Sequence, residues 1–187
     1  MDAKSHERSL RVLRTAALVL AIFLVAAVVV WIAGGDDDES EPAPAPATAE
    51  ARIVSEEELW EIAAGAEQPV YWAGEMDGTE LEVTEEEGSV LVRYLLEDDE
   101  AGTALAKRVA VGSYALPNPR KALTAFAETP GATVEEVRGV GKVVISPEAH
   151  KNVYFVDPDN EVQVEVYAPS AKRAIALVRS GQVQPIG

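Results

Sequence analysis

The charge-free run from Thr15 to Gly35, TAALVLAIFLVAAVVVWIAGG, limits what this chain can fold into more than any other segment. At a rise of about 1.5 Å per residue, a helix of that length matches a hydrocarbon core of roughly 30 Å and predicts one membrane span over 15–35. A buried helix of a globular core rarely runs so far without a charge. A cleaved signal peptide competes more closely, but the run exceeds the roughly 7–15 apolar residues of a signal core, and no small-x-small site closes it. Apart from Thr15 at its edge the run holds no polar side chain, so it offers no ion pathway.

The flanks of the run give it a direction. Lys4, Arg8, Arg11 and Arg14 precede it, and Asp36, Asp37, Asp38 and Glu39 follow. Basic residues beside a first span stay on the cytoplasmic side, which predicts a short cytoplasmic tail over 1–14 and an extracytoplasmic C-terminal body at the cell membrane. Trp31 stands where an aromatic anchor at the outer headgroups would sit. Residues 36–52 combine an acidic block with alternating Pro-Ala and have almost nothing to bury. They predict a disordered, stretched linker that can hold the domain up to about 50 Å from the membrane. The chain has no cysteine, so an exported domain must be stabilised by its core, without disulfides.

Residues 53–187 have the size of one domain and predict an α+β fold, an antiparallel sheet with about three helices. Ser55 with Glu58 forms a capping box ahead of Leu59, Ile62, Ala63 and Ala66. Asn118-Pro119 opens a second helix, with Asn118 as N-cap, and Ser170 caps a third. Strands are predicted at Val70–Trp72, around Leu81 and Val83, at Val90–Leu96, Arg108–Tyr114, Thr133–Val137, Lys142–Ser146, Asn152–Val156 and Glu161–Tyr167. Val90–Leu96 is apolar on both faces and so central. In Glu161–Tyr167, Val162, Val164 and Val166 share one face and Gln163 and Glu165 the other.

An imperfect tandem ββα repeat is suggested by two stretches. Val70-Tyr71-Trp72 and Leu81-Glu82-Val83 stand at the same offset as Val153-Tyr154-Phe155 and Val164-Glu165-Val166. After each, a strand ends in tyrosine and passes through proline into a helix with a basic pair in its first turn, Arg120-Lys121 and Lys172-Arg173. Cations at a helix N-terminus oppose the macrodipole unless an anion sits between them and the free N–H groups. Arg120, Lys121, Lys172 and Arg173 are therefore candidate anion-binding residues, for a lipid headgroup, a phosphate-bearing wall polymer or carboxylates of the first half of the domain.

Charge is distributed unevenly within a net −16. Ile53 to Ala106 carries sixteen acidic residues and the single cation Arg93, whereas Lys107 to Gly187 carries eight acidic and ten basic residues. Mutual attraction of the halves plus a solvated acidic face accounts for this, with an acidic docking surface as the sharper reading. Sign and compartment both disfavour nucleic acid. With His150 the only histidine beyond the span and no cysteine, no zinc set is present, and no G-x-S-x-G surrounds a serine. Gly139-Val140-Gly141-Lys142 lacks the spacing of a phosphate loop and reads as a hairpin turn. Asp157-Pro158-Asp159-Asn160 lacks the distal carboxylate of an EF-hand, since Ala168 stands there, and reads as a turn. Tyr71-Trp72, Tyr94, Tyr114, Tyr154-Phe155 and Tyr167 predict cross-strand packing with one ring of each pair facing outward, an exposed row for sugar stacking being the minor alternative.

The segments Pro69-Val70-Tyr71-Trp72-Ala73-Gly74, Val92-Arg93-Tyr94-Leu95, Val111-Gly112-Ser113-Tyr114 and Glu165-Val166-Tyr167 resemble those of single-pass, extracytoplasmic proteins of high-GC bacteria. The resemblance spans about Pro69 to Ile186 and assigns no functional residue, metal or cofactor. The sequence thus predicts a non-enzymatic, membrane-tethered binding or assembly module of the cell envelope with an integral single-pass anchor and a protein partner. A sensor or regulatory subunit acting through a membrane partner, and a tethered wall-polymer hydrolase, are the alternatives.

Overall fold

Turn chemistry and alternation build one large sheet. In a computed structural model, which describes residues 50–102, 108–147 and 151–186, Glu87-Gly88 reverses the chain with Gly88 at φ 72°. Strands β3 (Thr79–Glu86) and β4 (Ser89–Leu96) then pair antiparallel from Thr79↔Leu96 to Glu86↔Ser89. With β1 (Arg52–Val54), β5 (Ala110–Tyr114), β6 (Thr133–Val137), β7 (Gly141–Ile145), β8 (Asn152–Val156) and β9 (Gln163–Tyr167) they form eight strands in the order β1-β3-β4-β5-β9-β8-β7-β6, every pairing antiparallel. The domain is α+β, with three helices among the described residues. The span over 15–35, most of the linker over 36–52 and His150 lie outside the described residues, and no described helix is long and apolar enough to cross a membrane. Strand β1 begins at Arg52, one residue inside the segment read as linker.

The helices α1 (Glu56–Gly65), α2 (Pro119–Ala127) and α3 (Ala171–Arg179) divide between the two faces of the sheet. On the back face, Leu59 of α1 and Ala174, Ile175, Leu177 and Val178 of α3 join Val83, Val92, Val111, Val143, Val153, Val164 and Val166 in the main core. On the front face, Leu123 of α2 packs with Val144, Tyr154 and Val156. Strands β8 and β9 are consequently buried from end to end, sandwiched between α2 and α3. Strand β4, also interior, is buried from Val90 to Leu95 on both faces, with Arg93 paired to Glu82 on one of them.

Caps follow their sequence signatures where a side chain can reach. Glu58 N–H donates to Ser55 Oγ at 3.2 Å while Glu58 Oε2 accepts from Ser55 N–H at 2.7 Å, completing the capping box. Ser170 Oγ accepts from Arg173 N–H at 3.3 Å. Asn118 departs from the expectation. It adopts the left-handed conformation, φ 58°, and its side chain makes no cap bond; only its carbonyl accepts from Lys121 and Ala122 N–H.

Three further expectations are corrected. Strand β2 (Tyr71–Trp72) does not form a hairpin with β3; it pairs with β10 (Gln184–Pro185) as a small second ribbon. Gly74 and Gly78, both at positive φ, turn the chain away after β2, and β2 is held over the sheet by Tyr71 N–H donating to Ser113 Oγ at 2.8 Å and Ala73 N–H to Tyr94 Oη at 2.7 Å. Since α2 and α3 also lie on opposite faces, the two stretches that resemble each other in sequence are not equivalent units in space. The aromatic pairs are buried on both sides, Tyr71 at 1 % and Trp72 at 6 % exposure, Tyr154 and Phe155 both at 3 %, so no outward row exists among them. Finally, among the described residues most ion pairs form within a half: Arg93 binds Glu82 and Arg52 binds Glu85, while Arg120 binds Glu161 and Arg179 binds Glu135. The Asp99–Arg108 pair links the halves only locally.

Leu59 is the only buried side chain of α1 and is completely enclosed, while its neighbour Trp60 is half exposed. Leu59→Ala is expected to cost about 2–4 kcal/mol in a denaturant titration, and Trp60→Ala to stay within about 0.5 kcal/mol.

Candidate functional site

The four basic residues do not converge. Strands β5 and β9 are antiparallel neighbours, with Tyr114 opposite Gln163 and Tyr167 opposite Ala110, so the helices that follow them start at opposite ends of the sheet as well as on opposite faces. Arg120 is occupied: its Nε lies 3.3 Å from Glu161 Oε1, and its Nη2 donates to the Pro158 carbonyl. Lys121, Lys172 and Arg173 are exposed. The predicted neutralisation of Arg120 by carboxylates of the first half is supplied instead by Glu161 of the second, which the turn after β8 places there. In that turn Asp157 Oδ1 accepts from Asp159 and Asn160 N–H, both at 2.8 Å, and from Asn160 Nδ2 at 3.1 Å. Asp157 thus closes the turn through Oδ1, and among the described residues no three or more histidine, cysteine, aspartate or glutamate side chains gather where they could share a metal ion.

Arg173 instead lines a shallow groove of about 470 Å³ together with Arg108, Tyr94, Gln182 and the loop joining β2 to β3. Asp99 holds Arg108 through Oδ2···Nε at 2.5 Å and Oδ1···Nη2 at 3.0 Å, and these charge-assisted bonds lower the Asp99 pKa. A second groove, about 590 Å³, opens on the other side of the same loop between β1, the start of α1 and the start of β3. Glu75, Met76, Asp77 and Thr79 line both. Here a hydrogen bond with Glu56 raises the Glu75 pKa, as expected where two carboxyls crowd together. The loop between the grooves is clamped from beneath: Tyr94 Oη accepts from Ala73 N–H and donates to the Gly74 carbonyl at 3.0 Å, and Thr79 Oγ1 donates to the Met76 carbonyl at 2.8 Å. Burial of the Tyr94 hydroxyl raises its pKa.

Beneath the front surface lie two polar clusters that alternation alone did not reveal. Glu82 and Arg93 stand opposite each other on β3 and β4 and form a fully buried ion pair, with Glu82 Oε2 also accepting from Gly102 N–H at 2.7 Å. Among the described residues, Glu165 of β9 has no such cation. It is 1 % exposed and accepts from Tyr154 Oη at 2.7 Å, from Tyr114 Oη at 3.1 Å and from Asn152 Nδ2. Burial pushes its pKa up to about 7, against the opposing pull of those three donors. Gly112, directly across on β5, makes the arrangement feasible: a Cβ there would lie 2.5–2.7 Å from the Tyr114 ring, which folds over the glycine to reach Glu165. Two signals were present in the sequence, a glycine inside a strand and Asn152 with Tyr154 two residues apart on one strand face.

Comparison of the chain with protein-family models, curated proteins and solved structures finds no match. The site is therefore read from its own geometry.

An acid whose pKa is about 7 when folded and an ordinary 4.5 when unfolded takes up a proton on folding between those values. Its contribution is fully favourable below about 4.5 and declines as pH rises to about 7, a loss on the order of 3 kcal/mol. Denaturation curves of wild type and Glu165→Gln across this window should diverge by that trend, with the wild type losing stability relative to the variant as pH rises.

Proposed function

We propose that this chain is a membrane-tethered binding or assembly module of the bacterial cell envelope, without catalytic activity of its own. A helix over 15–35 anchors it, residues 1–14 stay cytoplasmic, and the linker over 36–52 carries the α+β domain outside the membrane. The charge flanks of the apolar run support the topology. The observation that carries the binding reading is the pair of open grooves meeting at the clamped loop from Gly74 to Gly78. One groove is lined by Glu56, Glu58, Glu75, Asp77 and Glu80; the other shares Glu75 and Asp77 with it and adds Arg173 and Arg108, the latter held by Asp99. An extended partner segment with cationic side chains along Glu75, Asp77 and the β1 side, and a single carboxylate at Arg173, is complementary to both. Shallow, open, charge-rich grooves suit recognition of a protein surface better than enclosure of a small substrate.

Because the native chain lacks cysteine, single replacements report topology directly. A membrane-impermeant maleimide on intact cells should label Lys121→Cys and leave Ser5→Cys unlabelled until the membrane is opened. A photoreactive residue at Met76 should give a discrete cross-linked species that disappears when Glu75 and Asp77 are changed to lysine. The same probe at Lys121 should not. Identical products from both positions would remove the groove from the proposal.

A further inference from the structure

The Glu165 cluster sits under α2, which is less deeply seated than α3 on the opposite face of the same strands. Helix α2 crosses β7, β8 and β9 on the front face and buries only Pro119, Ala122 and Leu123, with Phe126 edge-on to Tyr154 at a centroid distance of 5.1 Å. Helix α3, on the opposite face of the same strands, buries Ala174, Ile175, Leu177 and Val178 and has a side-chain cap. Helix α2 has no side-chain cap, and its first turn carries Arg120 and Lys121 with no acid to oppose them. Its ends are marked by Asn118 in the left-handed conformation after Pro117, and by Pro130-Gly131 with Gly131 at φ 88°. Among the described polar contacts holding it down is the Arg120–Glu161 pair, whose side chains are 53 % and 69 % exposed, and such pairs contribute little.

Among the described residues no cation compensates Glu165 from any side. From β5 it is faced by Tyr114, from β8 by Tyr154 and the neutral Asn152, and along β9 by Gln163 and Tyr167 two residues away on the same face. On β4, Leu91 stands beside Gly112, and Arg93 is bound to Glu82. From β3, Glu86 acts on Tyr114 and adds negative potential. From α2, Arg120 is turned to Glu161 and Pro158, and Lys121 is exposed. The donors around the carboxyl are all neutral, so an ionised Glu165 is stabilised only by dipoles until water reaches it.

We propose that α2 is a pH-operated lid: loss of the proton from Glu165 releases Pro119–Ala127 from the front face and admits water to the carboxylate, while α3 keeps the back face closed. The opened state presents Leu123, Val144, Tyr154 and Val156, an apolar surface that the closed state hides. The device switches near neutrality, since burial places the Glu165 pKa at about 7.

Hydrogen exchange of the full-length chain in detergent, corrected for intrinsic rates, tests this at about pH 5.5 and about pH 8. Amides of α2 should lose roughly tenfold protection at the higher pH while those of α3 hold. Glu165→Gln, which mimics the protonated acid, should keep α2 protected at both. Tyr114→Phe removes a donor that favours the carboxylate, so the midpoint should move to higher pH. This variant keeps the test decisive even if Glu165→Gln fails to fold. Equal protection of α2 at both pH values in the wild type, an unchanged pH response in Glu165→Gln, or a loss shared equally by α3 would overturn the proposal.

Discussion

The pairing of β5 with β9 is the joint on which the domain depends. Five residues on each side, Ala110–Tyr114 against Tyr167–Gln163, join the β1-β3-β4-β5 half to the β9-β8-β7-β6 half. Among the described residues no other strand pairing links the halves within the large sheet. The seam is therefore buried on both faces, and its residues must satisfy opposite demands. Valines at 111, 164 and 166 fill the back core, while Gly112, Tyr114 and Glu165 place polar chemistry at the front. Ser113 ties the same seam to the outer ribbon by accepting from Tyr71 N–H. The ribbon, the sheet and the front-face cluster thus meet within three consecutive residues of β5.

The front face holds two buried carboxylates and treats them differently. Glu82 is neutralised by Arg93 and receives Gly102 N–H, so its charge stays paired at 0 % exposure. Removing either partner of such a pair leaves an uncompensated buried charge, commonly a loss of about 3–5 kcal/mol, even where the intact pair adds little net stability. Among the described residues, Glu165 receives three neutral donors and no cation. At Glu165 desolvation outweighs those bonds and pushes the pKa up to about 7. The difference rests on what stands across the strand: arginine opposite Glu82, glycine opposite Glu165.

Local signals carried much of the architecture. The capping box at Ser55, the serine cap at Ser170, the strands at Thr133–Val137 and Asn152–Val156 and the glycine turn at Gly139-Val140-Gly141 were all legible, because each depends on residues within a few positions. Pairings at long range were not. Strand β2 has two residues and finds its partner at Gln184-Pro185, more than a hundred positions away, so no local period announces it. The alternation of Gln163 and Glu165 with valine is a pattern that ordinarily marks a half-solvated strand. Strand β9 is not half-solvated, because α2 returns across the front face, a tertiary fact that inverts the ordinary meaning of a period-two pattern. The basic pairs were visible as residues, but whether they converge depended on the antiparallel sense of β5 and β9.

Position along the chain relates the grooves to the tether. Ile53 and Val54 line the larger groove one residue after β1 begins, so the proposed linker enters the domain beside that groove. At that length the proposed tether would confine the domain to within about 50 Å of the proposed anchor, and a partner held in the same membrane would then be met at an effective concentration near the millimolar range. Under that confinement a shallow groove does not need high intrinsic affinity. Weak, charge-matched contacts suffice, and charge matching also governs which partner is excluded. The acidity of the first half is then consistent with its position. With Arg93 committed to Glu82 inside the sheet, the surface carboxylates Glu56, Glu75, Asp77 and Glu80 are left facing outward around the groove nearest the tether.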